Sequence, residues 1–112
     1  LSECVRREVL EETGFEVSVG EVLFVRDYIG VNHEFAAYEP DVHQVEVMFS
    51  CAVDRSRAPA VPVEADDWQV SVDWVPVADL PDLRFYPAVM SSDLVRAADQ
   101  DVGSARYLGD VN

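Results

Sequence analysis

Two periodicities alternate along the chain. Residues 1–13 hold no Gly or Pro, and Leu1, Val5 and Val9 recur at four-residue spacing among Glu, Arg and Leu. That spacing predicts a helix, with Gly14 as its stop. Residues 15–28 are β-branched and aromatic with Gly20 interrupting, which predicts one strand with a bulge or two short strands. Residues 29–42 mix Gly, Asn, Pro and acids with aromatics and predict a long loop, a common carrier of function in compact domains. Residues 43–53 alternate first, with Val45, Val47 and Phe49 on one side, and then become continuously apolar, which predicts a central strand. Residues 54–67 are rich in turn formers and Pro and end in acids. Residues 68–77 alternate Trp68, Val70, Val72 and Trp74 against Gln69, Ser71 and Asp73, which predicts a strand with one buried face. Residues 78–87 read as a connector around Pro81 and Pro87, and residues 88–99 as a second helix. The remaining tail has no usable periodicity. Helix, strands, long loop, strands and helix in that order predict an α+β or three-layer arrangement, not a doubly wound parallel sheet.

Composition narrows the function classes. The length, 112 residues, suits one domain. The formal charge is −14, and all eight cationic residues are arginine. Such a field repels nucleic-acid backbones and anionic lipid, so neither is expected as a partner. It leaves divalent cations open, and permits a polyanionic substrate if metal ions neutralise the site. There is no apolar run of about 18 residues and no basic-then-apolar leader, so a cytoplasmic location is expected. Cys4 and Cys51 have neither CxxC spacing nor His neighbours and are expected as free, buried thiols. Residue 1 is Leu, and the opening segment already has the character of helix interior with no cap before it. The chain is therefore expected to begin inside a larger domain.

The opening helix carries the chemistry. At about 100° per residue, Glu8, Glu11 and Glu12 fall within an arc of about 100° that overlaps the arc of Leu1, Val5 and Val9. A helix whose acids serve only solubility sets them opposite its apolar stripe. Here three carboxylates lie at the edge of the face expected to be buried. Glu8 and Glu12 are also a like-charge i,i+4 pair, and all three acids sit toward the negative end of the helix macrodipole. Breaches of several local rules at one place mark functional sites. A hard divalent cation with oxygen ligands offsets the repulsion, and Mg²⁺ suits carboxylates that work with substrate phosphates. Arg7 can fork onto one carboxylate and fix its orientation.

Residues 7–15 read Arg-Glu-Val-Leu-Glu-Glu-Thr-Gly-Phe. The segment resembles the end of the Nudix box, G-x5-E-x7-R-E-U-x-E-E-x-G-U, where U is a bulky aliphatic or aromatic residue. Arg7, Glu8, Val9, Glu11, Glu12, Gly14 and Phe15 match. The resemblance implies a Nudix-type α/β/α sandwich with a mixed sheet, truncated at its amino-terminal side. It also implies hydrolysis of a nucleoside diphosphate derivative to a nucleoside monophosphate and a phosphorylated second product, with Mg²⁺ or Mn²⁺ as cofactor. By position, Glu8 and Glu12 are implied as metal ligands, Glu11 as a further ligand or their partner, Arg7 as the orienting residue and Glu8 as a candidate general base. Counting back, the first Glu of the box falls two residues before Leu1 and its Gly six residues earlier.

Acids outside the box are further candidates. Glu64, Asp66 and Asp67 precede Trp68, and Glu64 ranks first as a substrate-site acid. Glu46, opposite the apolar series of its strand, is a candidate pocket residue. His33 and His43 read as ordinary hydrogen-bonded histidines near the loop. Tyr28, Phe35 and Tyr38 read as loop anchors able to stack on a base, Trp68 and Trp74 as core, and Phe85-Tyr86-Pro87 as the start of the second helix. Strand edges left exposed by the missing strands are able to drive homodimerisation or aggregation, and the oligomeric state stays open. The alternative function is a non-catalytic Nudix-fold module that binds a nucleotide or regulates partners. Three glutamates kept at the edge of an apolar stripe favour the enzyme.

Overall fold

The structure, a computed structural model, describes residues 1–57, 59–60, 69–99 and 104–111. Helix α1 spans Ser2–Thr13, strand β1 Val17–Ile29, strand β2 His43–Val53, helix α2 Val89–Asp99 and strand β3 Arg106–Asp110. Short 3-10 turns occupy Gly30–Asn32 and Val77–Asp82. The strands form one sheet in the order β2-β1-β3. β3 runs parallel to β1. β2 runs the other way, since Glu21 meets Ser50 while Asp27 meets His43. The result is a mixed sheet with helices, an α+β arrangement consistent with a Nudix-type α/β/α fold.

The residues group into two compact units, and β1 and β2 each contribute to both. The first holds residues 1–21 and 49–74. Gly20 does not break β1. A Cβ there would lie 2.4 Å from Ser50 Oγ, and that oxygen accepts the Glu21 N–H at 3.1 Å. The glycine is the space that Ser50 needs.

Four expectations fail in this unit. No residue of α1 is buried, although its stripe of Leu1, Val5 and Val9 predicts a covered face. An apolar stripe is buried only where another element lies on it, and among the described residues none encloses it. Cys4 and Cys51 are free but exposed, not core. Residues 69–76 form no strand, and Val70 is 97% exposed. Alternation predicts a face able to pack; pairing also needs a neighbouring edge, and no described strand supplies one. Trp74, expected in the core, is 57% exposed. It meets the Phe15 ring edge-on at 5.6 Å between centroids and carries the Arg55 guanidinium 4.0 Å above its ring. Trp68 lies outside the described residues.

The second unit holds residues 22–48 and 75–112. Its apolar core is Phe24, only 1% exposed, with Leu80 and Met90. Leu80 comes from the 3-10 turn against which α2 packs. β1, not β2, is the middle strand, because the tail that showed no periodicity forms β3 along the other edge of β1. β3 has five residues, too short for a two-residue alternation to stand out. Arg26, almost wholly buried, donates to both oxygens of Glu46 at 2.7 and 3.1 Å and to the Val111 carbonyl at 2.7 Å. Glu46 is thereby the partner of a buried guanidinium.

Candidate functional site

Helix α1 ends by a local device. Gly14 is left-handed at φ 73°, and its N–H donates to the Leu10 carbonyl at 2.9 Å. Glycine adopts this conformation without a Cβ penalty. Thr13 Oγ1 donates to the Val9 carbonyl at 2.6 Å and accepts the Phe15 N–H at 3.2 Å. Distant residues close the end further. The Ala60 N–H donates to the Gly14 carbonyl at 2.8 Å, and Gln69 Nε2 donates to the Glu12 carbonyl at 2.9 Å. A Cβ on Gly14 would lie 1.9 Å from the Ala60 carbonyl oxygen. These contacts fix the last turn, which carries the acids.

Arg7 organises the acidic face. Its Nη2 donates to Glu8 at 2.5 Å, and its Nε lies 3.6 Å from Glu11. The hydrogen bond to Glu8, then the charges of Glu8 and Glu11, raise the guanidinium above its ordinary value. Both partners are half-exposed, so the pairing orients side chains more than it stabilises the fold. Glu12 is exposed, and its side chain has no hydrogen-bond or ion-pair partner among the described residues. Arg7 thus meets Glu8 and Glu11 but not Glu12. Cys4 Sγ, one turn before Glu8, lies 4.0 Å from both Glu8 Oε1 and Arg7 Nη2.

Among the described residues, no three acidic, histidine or cysteine side chains converge into a cage for a metal ion. The donor chemistry nevertheless suits Mg²⁺ or Mn²⁺. Mg²⁺ is commonly held by one or two carboxylates, waters and substrate phosphates, not by an all-protein cage. Glu8, Glu11 and Glu12 are hard oxygen donors at i, i+3 and i+4 on the accessible side of one helix.

Beside the end of α1 lies a cavity of about 360 Å³, lined by Leu10, Phe15, Val17, Ser18, Arg57 and Pro59 among others. Arg57 at its wall pairs with Glu16 at 2.5 Å. Periodicity could not reveal this cavity, since residues 54–60 carry no regular pattern. Gln69 was likewise unreadable in advance, because its role is a contact with a backbone carbonyl 57 residues away.

The other candidates separate. Glu64, Asp66 and Asp67 lie outside the described residues. In the second unit, His33 is buried, stacks on Tyr28 at 4.7 Å and bonds Asp110 at 2.6 Å through Nε2. His43 meets Asp27 at 3.1 Å. Both are hydrogen-bonded histidines, as expected. Tyr28 donates to Glu39 at 2.8 Å, which raises its hydroxyl pKa and anchors the loop. Phe35 and Tyr38 are exposed. Tyr86 joins Arg84 in bonding Glu34.

Comparison with known proteins follows the helix. The family model of the NUDIX domain matches residues 1–94. No curated protein matches the chain. Among the described residues no helix is long and apolar enough to cross a membrane.

Proposed function

The chain belongs to the NUDIX domain family, and from that membership we propose that it hydrolyses the pyrophosphate bond of a nucleoside diphosphate derivative. Water is consumed, and a nucleoside monophosphate and a phosphorylated second product leave. The observation that carries this reading is the last two turns of α1, where Arg7 and three glutamates share one accessible face and Gly14 stops the helix.

Glu8, Glu11 and Glu12 are the residues that would hold Mg²⁺ or Mn²⁺. Such an ion neutralises phosphate charge, polarises phosphorus and makes water a better nucleophile at neutral pH. Arg7 holds Glu8 in one orientation by a charge-assisted bond, so the carboxylate does not need to be reorganised during the reaction. Glu8 is the candidate to accept a proton from the attacking water. Glu12, free of side-chain partners among the described residues, is the acid most available to a cation.

The test is release of a nucleoside monophosphate from a nucleoside diphosphate sugar, with and without Mg²⁺ or Mn²⁺. Turnover is expected only with the metal. Glu12→Gln is expected to lower kcat about 10²- to 10³-fold while the far-ultraviolet circular dichroism stays that of the parent. Undiminished turnover in that variant would remove Glu12 from the metal site. Binding of the sugar nucleotide with no turnover under any metal would make the chain a binding module instead.

A further inference from the structure

β3 lies beyond residue 94, where the family match ends. It pairs with β1 in parallel, Phe24 opposite Arg106, Val25 opposite Tyr107 and Asp27 opposite Asp110, with an irregularity between Val25 and Asp27. Parallel strands usually derive their stability from apolar side chains covered on both faces. None of the five β3 residues is buried.

What fastens this strand is a set of carboxylates. Asp27 of β1 accepts the Tyr107 hydroxyl. Asp93 of α2 accepts Arg106 Nη1 at 3.0 Å. Asp110 of β3 accepts Asn32 Nδ2 at 2.6 Å, bonds His33 Nε2 at 2.6 Å and accepts the Ile29 N–H at 3.2 Å. Beside these stands the bond from Arg26 to the Val111 carbonyl. By contrast, β2 spans eleven residues and pairs antiparallel with the thirteen of β1.

We propose that residues 106–111 are a detachable strap, tied to β1, α2 and the turn after β1 through Asp27, Asp93 and Asp110, and that acid frees it while β1 and β2 remain paired. The groups facing these ties are few. Asp27 faces Tyr107 and His43, with Asp110 next along the sheet. Asp93 faces Arg96 of its own helix and Arg106. Asp110 faces Asn32 and His33, with Asp27 and Tyr107 nearby. Glu46 on β2 is occupied by Arg26.

The three carboxyls all lie below the usual range. The Tyr107 hydroxyl and then His43 lower Asp27, and Asn32 and then His33 lower Asp110. Burial pushes Asp93 up, and the bonds from Arg96 and Arg106 outweigh it. A carboxyl lowered by folding contributes stability above its unfolded pKa and loses it as pH falls through its folded one. All three ties therefore act in the same direction. Protonation leaves each aspartate a weaker acceptor, and no buried apolar face on β3 takes over.

Hydrogen exchange on the full chain tests this. The quantity is the exchange rate of amides 106–110 divided by that of β2 amides, a ratio in which the intrinsic pH dependence cancels. Between about pH 7 and about pH 3 the ratio is expected to rise by about tenfold or more, as expected for a locally opening element. Tyr107→Phe removes one tie and is expected to raise the ratio at neutral pH and to shrink its further rise on acidification. Asp110→Asn is expected to raise the ratio already at neutral pH. A ratio that stays flat overturns the proposal. So does simultaneous loss of protection in β2 and β3, in the parent or in either variant, or a Tyr107→Phe ratio equal to the parent's at neutral pH.

Discussion

Arg7 sits between two carboxylates that would otherwise repel each other, and its planar fork is what lets it meet Glu8 at 2.5 Å while its Nε stays 3.6 Å from Glu11. Lysine offers a point charge without that geometry. Arg7→Lys is therefore expected to lower kcat about tenfold or more with little change in thermal stability, checked by steady-state kinetics beside a melting curve. Gly14 gives the opposite pattern. Gly14→Ala meets both a positive φ and the Ala60 carbonyl, and is expected to cost about 2 kcal/mol in urea unfolding. The acids and the glycine were legible in the sequence because their relations are local: i, i+3 and i+4 on one helix, then a stop. Ala60 and Gln69 were not, since their contacts to the helix end depend on chain path and not on spacing. Burial was misread for Cys4 and Cys51 because apolar character states a preference, while burial needs a covering neighbour.

Elements with strong local signals matched the sequence closely. β2 has the bounds its pattern predicted, and α1 ends at the residue before Gly14. The stretch around Val70 shows where such reading stops. Its alternation is as regular as that of β2, yet its residues lie outside any described strand. Val70→Ser discriminates between the two. A buried strand position would lose 1–3 kcal/mol on the usual scale, whereas the observed exposure predicts a change of about 0.5 kcal/mol or less in chemical denaturation. Arg26→Ala is expected to be far more damaging, by about 3 kcal/mol, because it leaves the part-buried Glu46 carboxylate with Gln44 as its remaining donor among the described residues and frees the Val111 carbonyl. β3 was invisible for a different reason: five exposed residues carry no hydrophobic signature, and what selects their place is an edge of β1 supplied from the other end of the chain.

At the scale of the molecule, a charge of −14 on 112 residues makes self-repulsion a general cost of compactness. Added monovalent salt should relieve it. Between about 10 mM and about 0.5 M NaCl the Tm is expected to rise by about 4 °C, corresponding to about 1 kcal/mol of screened repulsion. A fall in Tm would mean that attractive pairs such as Arg26–Glu46 dominate the balance instead. The sheet adds a constraint of a different kind. Ile29 and Asp110, which share a hydrogen bond, stand 81 residues apart, and β1 receives β3 as its parallel neighbour. Synthesis runs toward the carboxyl terminus, so β1 and β2 leave the ribosome while the strand that flanks β1 on its other side has yet to be made. For that interval β1 lacks the neighbour that β3 becomes, and a pause in translation between α2 and residue 106 would prolong the time for which chaperones and neighbouring chains meet β1 without it.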